Sequence, residues 1–438
     1  MRLNQSALCS LVSRQVKSLS SIKRMIHNMW NGEVKVITGI RRCGKSVLLF
    51  DLFYEHLLSQ GVQEDHILKI QLDQRRYYKF RNPITLCEYV EALVAEKKDE
   101  KFYLFIDEVQ LNIKVIDKEN GGITVSIYDM LNELKAYKNL DVYVTGSNSK
   151  GLSKDIATEF RGRATQIHVF PLCFEEFYSH AGGDQRKALD TYMLYGGMPR
   201  LLALTDEKDK KDYLSSLYSE LYVRDIAERG GMEREDILND ILGFLASQIS
   251  SLTNPTNIAN ALTSMKNEKV NSTLVSNYVQ HIIDSFLVSM AKRYDVKGKT
   301  YFNYPNKYYY TDIGLRNARL NYRQYDPGHM MENILYNDLL RRGYSVDVGV
   351  VTDRTGGANV QREIDFVVND ADKKVYIQSA FQMDTDKKES SELASLMLTK
   401  DFFKKIVVRM DIPHNFYDDK GIFHCNLIDL LLGRVELF

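Results

Sequence analysis

Eight residues constrain the fold of this chain more than any others: GIRRCGKS, at positions 39–46, fits G-x-x-x-x-G-K-[ST] at every fixed position. The loop follows a short apolar run, VKVIT at 34–38, and leads into a helix-compatible stretch from about Lys45. Glycines let a loop of this kind wrap tightly, so that successive backbone N–H groups point inward as an anion nest. The helix that follows adds the positive end of its dipole. Further apolar runs at 67–72, 102–106, 142–145 and 165–169 are separated by helical stretches. Short unbroken strands alternating with helices predict an α/β fold, a parallel sheet in three layers with helices on both faces. The segment LNIKVIDKENGGITV, at 111–125, interrupts this rhythm and reads as a surface insertion.

The chemistry follows from residue types at the strand ends. Gly39, Ile40, Arg41, Arg42, Cys43, Gly44, Lys45, Ser46 and Val47 form the expected nucleotide-contact set. Lys45 is placed to reach the β- and γ-phosphates of ATP, and Ser46 to ligate Mg²⁺. Arg41 and Arg42 can brace the loop or touch phosphate; no separate role is assigned to either. In FYLFIDEVQ, at 102–110, a buried strand ends in Asp107 and Glu108. Two carboxylates there are costly without a cation, and a Mg²⁺–phosphate complex supplies one. Asp107 is expected to hold Mg²⁺ through water, and Glu108 to polarise the attacking water as general base. DVYVTGSNS, at 141–149, is a third apolar strand ending in small polar residues, expected beside the Asp107 strand. Ser147 or Asn148 would then contact the γ-phosphate or its water.

Taken in order, GIRRCGKS, LFIDEVQ, VTGSNSKGLS, EFRGRA, VFPLCFEEF and YGGMPRLL resemble the AAA-type P-loop ATPases often called archaeal-type, over nearly the whole chain. That resemblance implies a core related to the STAND group of signalling ATPases, followed by a winged helix and a C-terminal domain of unknown function. It implies that residues 197–199 match the family's Gly-x-Pro element, with Pro199 near the nucleotide. It also implies that Arg161 and Arg163 are the arginine pair after the sensor strand. Arg163 is the favoured one to steady transition-state charge, in cis or from a neighbouring subunit.

Beyond residue 325 the helix–strand–strand–strand–helix–strand order is similar to restriction-endonuclease-like (PD-(D/E)XK) nucleases. Glu332 then stands as the helical acid and Asp365 as the central one. The Glu-x-Lys position instead reads Gln378-Ser379-Ala380, which offers a weak neutral ligand and no ammonium. A cleavage reaction would lose most of its electrostatic help there, so the domain is expected to be a degenerate fold serving in binding.

Residues 236–310 read as three helices and a Lys/Gly-rich hairpin, with seven Lys/Arg against five Asp/Glu. The helix expected to enter a groove, 272–286, has no Lys or Arg and carries Asp284. Phosphate contacts dominate DNA affinity, so a structural or protein-contact role is favoured. Lys292, Arg293, Lys297 and Lys299 near the wing leave a DNA contact open.

The expected domains are therefore an ATPase core with an N-terminal helix (1–175), a helical lid (176–235), a winged helix (236–311) and the nuclease-like domain (312–438). The 58 basic and 58 acidic residues balance, so no global field draws the chain to nucleic acid or membrane. No apolar run approaches the roughly 18 residues that span a bilayer, and five scattered cysteines fit a reducing cytoplasm. The leading expectation is a slow, regulated ATPase that turns nucleotide state into domain rearrangement. An ATP-dependent DNA-binding or DNA-processing factor, a nuclease among its forms, and a nucleotide-gated scaffold with little turnover are the alternatives. A protein partner and a homo-oligomer stay open.

Overall fold

The computed structural model describes residues 20–118, 121–146, 164–353 and 359–438. The chain divides into two compact units, residues 1–170 and 171–438. Among the described residues no helix is long and apolar enough to cross a membrane.

The first unit contains strands β1 (Val34–Thr38), β2 (Ile67–Gln71), β3 (Phe102–Asp107), β4 (Val115–Asp117), β5 (Ile123–Val125), β6 (Leu140–Thr145) and β7 (Ala164–His168). Five of them form one wholly parallel sheet in the order β2-β3-β6-β1-β7. Alternate side chains on a strand point to opposite faces, and here both faces are apolar. Val34, Val36, Leu104, Ile106, Val142 and Val144 pack with Leu86, Val90, Leu131 and Leu134 of the helices Pro83–Val94 and Ile127–Leu134. Asn82 caps the first of these helices, and Ser126 with Asp129 forms a capping box on the second. On the other face Phe105 and Tyr143 meet Phe53, which lies on the helical run after the glycine loop. Three layers result.

The aromatic face also buries an ion pair. Lys35 and Asp141 are 0 % and 3 % exposed, and Asp141 further accepts from Tyr143 Oη at 2.9 Å and from the Trp30 N–H at 3.1 Å. The insertion at 111–125 contains an antiparallel hairpin, β4 against β5, with Val115 opposite Val125.

The second unit opens with the helices Phe174–Ala181, Gln185–Tyr195, Glu207–Ser216 and Arg224–Gly230. Three more follow: Glu235–Ser247, Pro255–Lys266 (capped by Asn254) and Ser272–Asp284. After them come β8 (Val288–Asp295), β9 (Thr300–Tyr310), and the helices Ile313–Arg319 and Pro327–Arg341. The chain finishes with β10 (Ser345–Asp353), β11 (Val360–Asp370), β12 (Lys373–Ala380), helix Asp386–Met397, β13 (Lys404–Arg409), β14 (Phe416–Tyr417), β15 (Phe423–Asn426) and helix Leu427–Leu431. Its eight strands form a mixed sheet in the order β14-β15-β13-β12-β11-β10-β8-β9. The C-terminal region is thus a separate α/β sheet. The β8–β9 hairpin, read from sequence as a wing, joins that sheet: β8 runs parallel to β10, with Arg293 opposite Val348. One sheet therefore spans position 311, and Arg293 of the basic cluster donates inward to Gln361 at 2.8 Å.

Candidate functional site: a glycine loop at the sheet's carboxyl edge

In an open parallel sheet, ligands bind beyond the carboxyl ends of the strands. Here β6 lies between β1 and β3, with Ile37 opposite Thr145 and Ile106 opposite Val144. The ends of all three strands therefore meet under the loop that leaves β1.

That loop depends on its glycines. Gly39 has φ 145°, and a Cβ there would sit 2.3 Å from the Val169 carbonyl oxygen and 3.1 Å from Cys43 Sγ. Gly44, with φ 108°, is the N-cap of the helix that starts at Lys45. Arg42 also has a positive φ, 64°, and is exposed. Ile40 is fully buried and anchors the loop. The Cys43 thiol donates to Val169 O at 3.3 Å, and burial raises its pKa, so it is a packing group rather than a nucleophile. Lys45 is 7 % exposed, and its Nζ donates to the carbonyls of Gly39 at 2.9 Å and Ile40 at 3.1 Å. The ammonium is thus held over the loop by oxygen acceptors. From Lys45 the helix runs through a π-helical stretch, Leu48–Phe53, into Tyr54–Ser59; Val47 lies in its first turn.

The acidic pair stands at the end of β3. Burial raises the Asp107 pKa, hydrogen bonds from the Thr145 and Ser46 hydroxyls oppose that rise, and Glu108 and Asp73 add to it. The Ser46 hydroxyl, distant in sequence, thus lies near enough to Asp107 to favour its ionised form. Glu108 is half-buried in the left-handed region at φ 54°. Its N–H donates to Asp107 Oδ1 at 3.1 Å, and the Gln110 amide donates to its carboxylate. The donor set suits a hard cation, because Ser46 and Asp107 offer only oxygen. Among the described residues no group of three or more His, Cys, Asp or Glu side chains, as they stand, is arranged to hold a metal ion. Mg²⁺ on two protein oxygens plus phosphate oxygens and water fits that limit.

Two residues escaped the sequence reading. Thr145, fully buried, ties the end of β6 to Asp107; its signal was a hydroxyl closing an apolar strand. His168, on β7, has Nδ1 3.2 Å from Thr38 Oγ1. Burial lowers its pKa to about 4, helped by the Arg24 and Lys45 charges, so it stays neutral near the loop. Of the other expected site residues, Ser147, Asn148, Arg161 and Arg163 lie outside the described residues. Pro199 belongs to the second unit and opens the 3-10 turn Pro199–Ala203. The glycines before it are pinned: Asp312 accepts from the Gly197 N–H at 2.7 Å, and a Cβ on Gly197 would meet Leu172 O at 1.9 Å.

A second constellation lies in the C-terminal sheet. Glu332 and Asp365 converge, and between them stands Lys307 of β9. Its Nζ is 2.7 Å from Glu332, 2.7 Å from Glu363 and 3.2 Å from Asp365. Burial alone would lower the Lys307 pKa, but Glu332, Asp365 and Glu363 hold it well above the ordinary value. Burial pushes Glu332 up to about 8, against the pull of Lys307. Gln378, at the departed position, donates to Glu392 at 3.1 Å, and Ala380 is buried.

A glycine-hinged loop, a lysine held over it and an aspartate tied to the neighbouring strand's threonine at the carboxyl edge of a parallel sheet define a P-loop domain. Residues 31–178 match the family model described as AAA domain, and residues 186–326 match a domain of unknown function, DUF8612. An uncharacterized protein of Haemophilus influenzae is 33 % identical over 383 residues, 86 % of this chain and 88 % of its own length. An uncharacterized protein of Methanocaldococcus jannaschii is 26 % identical over 377 residues, 82 % of this chain and 76 % of its own. The chain belongs to the same family as the Haemophilus protein, and its residues 31–178 are an AAA domain by that match. Among solved structures, the Walker-type ATPase of Pyrococcus abyssi is similar at TM-score 0.44 and 15 % identity, covering 70 % of this chain and 95 % of that one.

Proposed function

We propose that the first unit binds ATP with Mg²⁺ and hydrolyses it, and that nucleotide state drives rearrangement of the rest of the chain. The observation that carries the reading is Asp107, tied to Thr145 at the end of the neighbouring strand, beside a loop spanned by the Lys45 ammonium. On binding, Lys45 exchanges its two carbonyl partners for phosphate oxygens, so the loop's own acceptors keep the ammonium in place until the anion arrives. Ser46 and Asp107 would hold Mg²⁺, which supplies charge neutralisation at the phosphates. Thr145 fixes the Asp107 carboxylate, and Glu108 orients and deprotonates the attacking water. Ser147 would contact the γ-phosphate, Arg163 would steady its developing charge, and Pro199 would sense the nucleotide from residues 176–235, the proposed lid. Residues 236–311 and 312–438 would receive the movement in a cytoplasmic protein.

The test uses purified full-length chain, phosphate release with Mg-ATP, and titration with a fluorescent ATP analogue. Lys45→Ala should weaken binding sharply, and Glu108→Gln should bind normally but turn over slowly. Absence of turnover together with unchanged binding by Lys45→Ala would refute the proposal. Binding with a trace turnover that Glu108→Gln leaves untouched would favour the gated scaffold.

A further inference from the structure

We infer that the ammonium of Lys307 occupies the cation position of the C-terminal acid cluster, so that β9 closes from within a site that would otherwise take a divalent metal ion. Three carboxylates surround Nζ at 2.7, 2.7 and 3.2 Å. They come from two elements: Glu332 from helix Pro327–Arg341, and Glu363 and Asp365 from one face of β11. Lys307 is 3 % exposed, Glu332 8 %, Asp365 9 % and Glu363, at the rim, 31 %. Buried acids at that density are strongly unfavourable without a counter-charge, and Lys307 is the cation the cluster holds.

Two of the acids accept further hydrogen bonds. Tyr309, two residues along β9 and on the same face, donates to Glu332 Oε1 at 2.7 Å. The Ser379 N–H donates to Asp365 Oδ2 at 2.9 Å. Separations of 2.7–3.2 Å are those of ammonium hydrogen bonds, whereas Mg²⁺ sits about 2.1 Å from its oxygens. An ion at the centre of these acids therefore requires Nζ to leave. Lys307 is fixed to an eleven-residue strand of the sheet, so it leaves only if β9 does or if the side chain is removed. The sequence sought the nuclease-type lysine at Ala380 on β12. The positive charge comes instead from the hairpin strand, and it enters the acids rather than standing beside them. The cluster thus latches β9 to the helix and to β11, and metal-dependent chemistry is shut off while the latch holds.

Mn²⁺ binding by the nucleotide-free full chain, followed by electron paramagnetic resonance, tests this. Wild type, Lys307→Met and the double variant Lys307→Met/Asp365→Asn share the Ser46–Asp107 site, so differences among them report the C-terminal cluster. Lys307→Met should bind one more Mn²⁺ per chain than wild type, and the double variant should lose it. Should Lys307→Met not fold in metal-free buffer, Mn²⁺ should restore its folded circular dichroism; failure of both arms overturns the inference. So does a Mn²⁺ bound by wild type and lost in Asp365→Asn, or Mg²⁺-dependent DNA cleavage by wild type abolished by Asp365→Ala. ATP turnover is not the readout, so this result and that of the nucleotide proposal are separable.

Discussion

Replacing Gly39 by alanine tests whether the loop's shape, and not merely its composition, supports the first unit. Two costs follow from the coordinates. A side chain at φ 145° is strained by about 1–3 kcal/mol. A Cβ 2.3 Å from the Val169 carbonyl must move the backbone after β7, an overpacking of about 1–3 kcal/mol. Gly39→Ala should therefore destabilise the unit by about 2–6 kcal/mol. Gly61→Ala is the control, because Gly61 has φ 85° with nothing within 4 Å of its Cβ. It carries the conformational cost alone. Urea unfolding can be followed through Trp30, the chain's single tryptophan, whose indole N–H donates to Tyr103 Oη at 3.2 Å inside the same unit. The two variants should differ by the clash, about 1–3 kcal/mol, and Gly39→Ala should also lose affinity for the ATP analogue. If Gly39→Ala and Gly61→Ala unfold within about 0.5 kcal/mol of each other, a difference ordinary for innocuous surface changes, the close approach to Val169 is not a real constraint.

Three other outcomes are expected. Lys35→Met should cost about 3–5 kcal/mol by leaving Asp141 buried without its cation, while Lys35→Met/Asp141→Leu should recover much of that loss; an additive double variant on urea unfolding would contradict it. Burial raises the Asp312 carboxyl from 3.8 to about 6 despite N–H bonds from Gly197, Leu315 and Gly314, with Tyr192 and Tyr322 the titratable groups coupled to it. Stability from its retained proton is full below pH 4 and is lost as pH rises through 6, about 3 kcal/mol over the window. Asp312→Asn should flatten that slope in thermal melts, and an unchanged slope would discount Asp312. Thr145→Val removes a donor to ionised Asp107, so the carboxyl pKa should rise further and the acid limb of ATP turnover move to higher pH. An unmoved limb would show that Asp107 does not control it.

The parallel sheet was legible because a strand covered on both faces has to be apolar at nearly every position, as in VKVIT and FYLFID. Polar residues within those runs were harder. Lys35 and Asp141 look like surface charges, and only the adjacency of β1 and β6, a long-range pairing, shows that they neutralise each other. The loop residues were readable because the pattern itself encodes backbone geometry at Gly39 and Gly44. The last strands were not: FHCN of β15 alternates too weakly to separate from a loop, and β14 has two residues. Lys307 was missed for a related reason. In NKYYYT a lysine beside tyrosines reads as a snorkelling edge residue, and its partners lie 25, 56 and 58 positions away. Spacing rules searched β12 for a charge that tertiary packing delivers from the edge strand β9.

Glu108 adopts a left-handed backbone conformation, one that glycine tolerates more readily than any side chain does. A library of variants sorted only for thermal endurance would for that reason drift toward glycine at this position. With Glu108 in the role proposed for it, the survivors would keep the loop and the sheet while losing turnover. Melting temperature alone would thus select sturdy but idle versions of this protein, and a screen that hopes to improve it must count phosphate as well as heat.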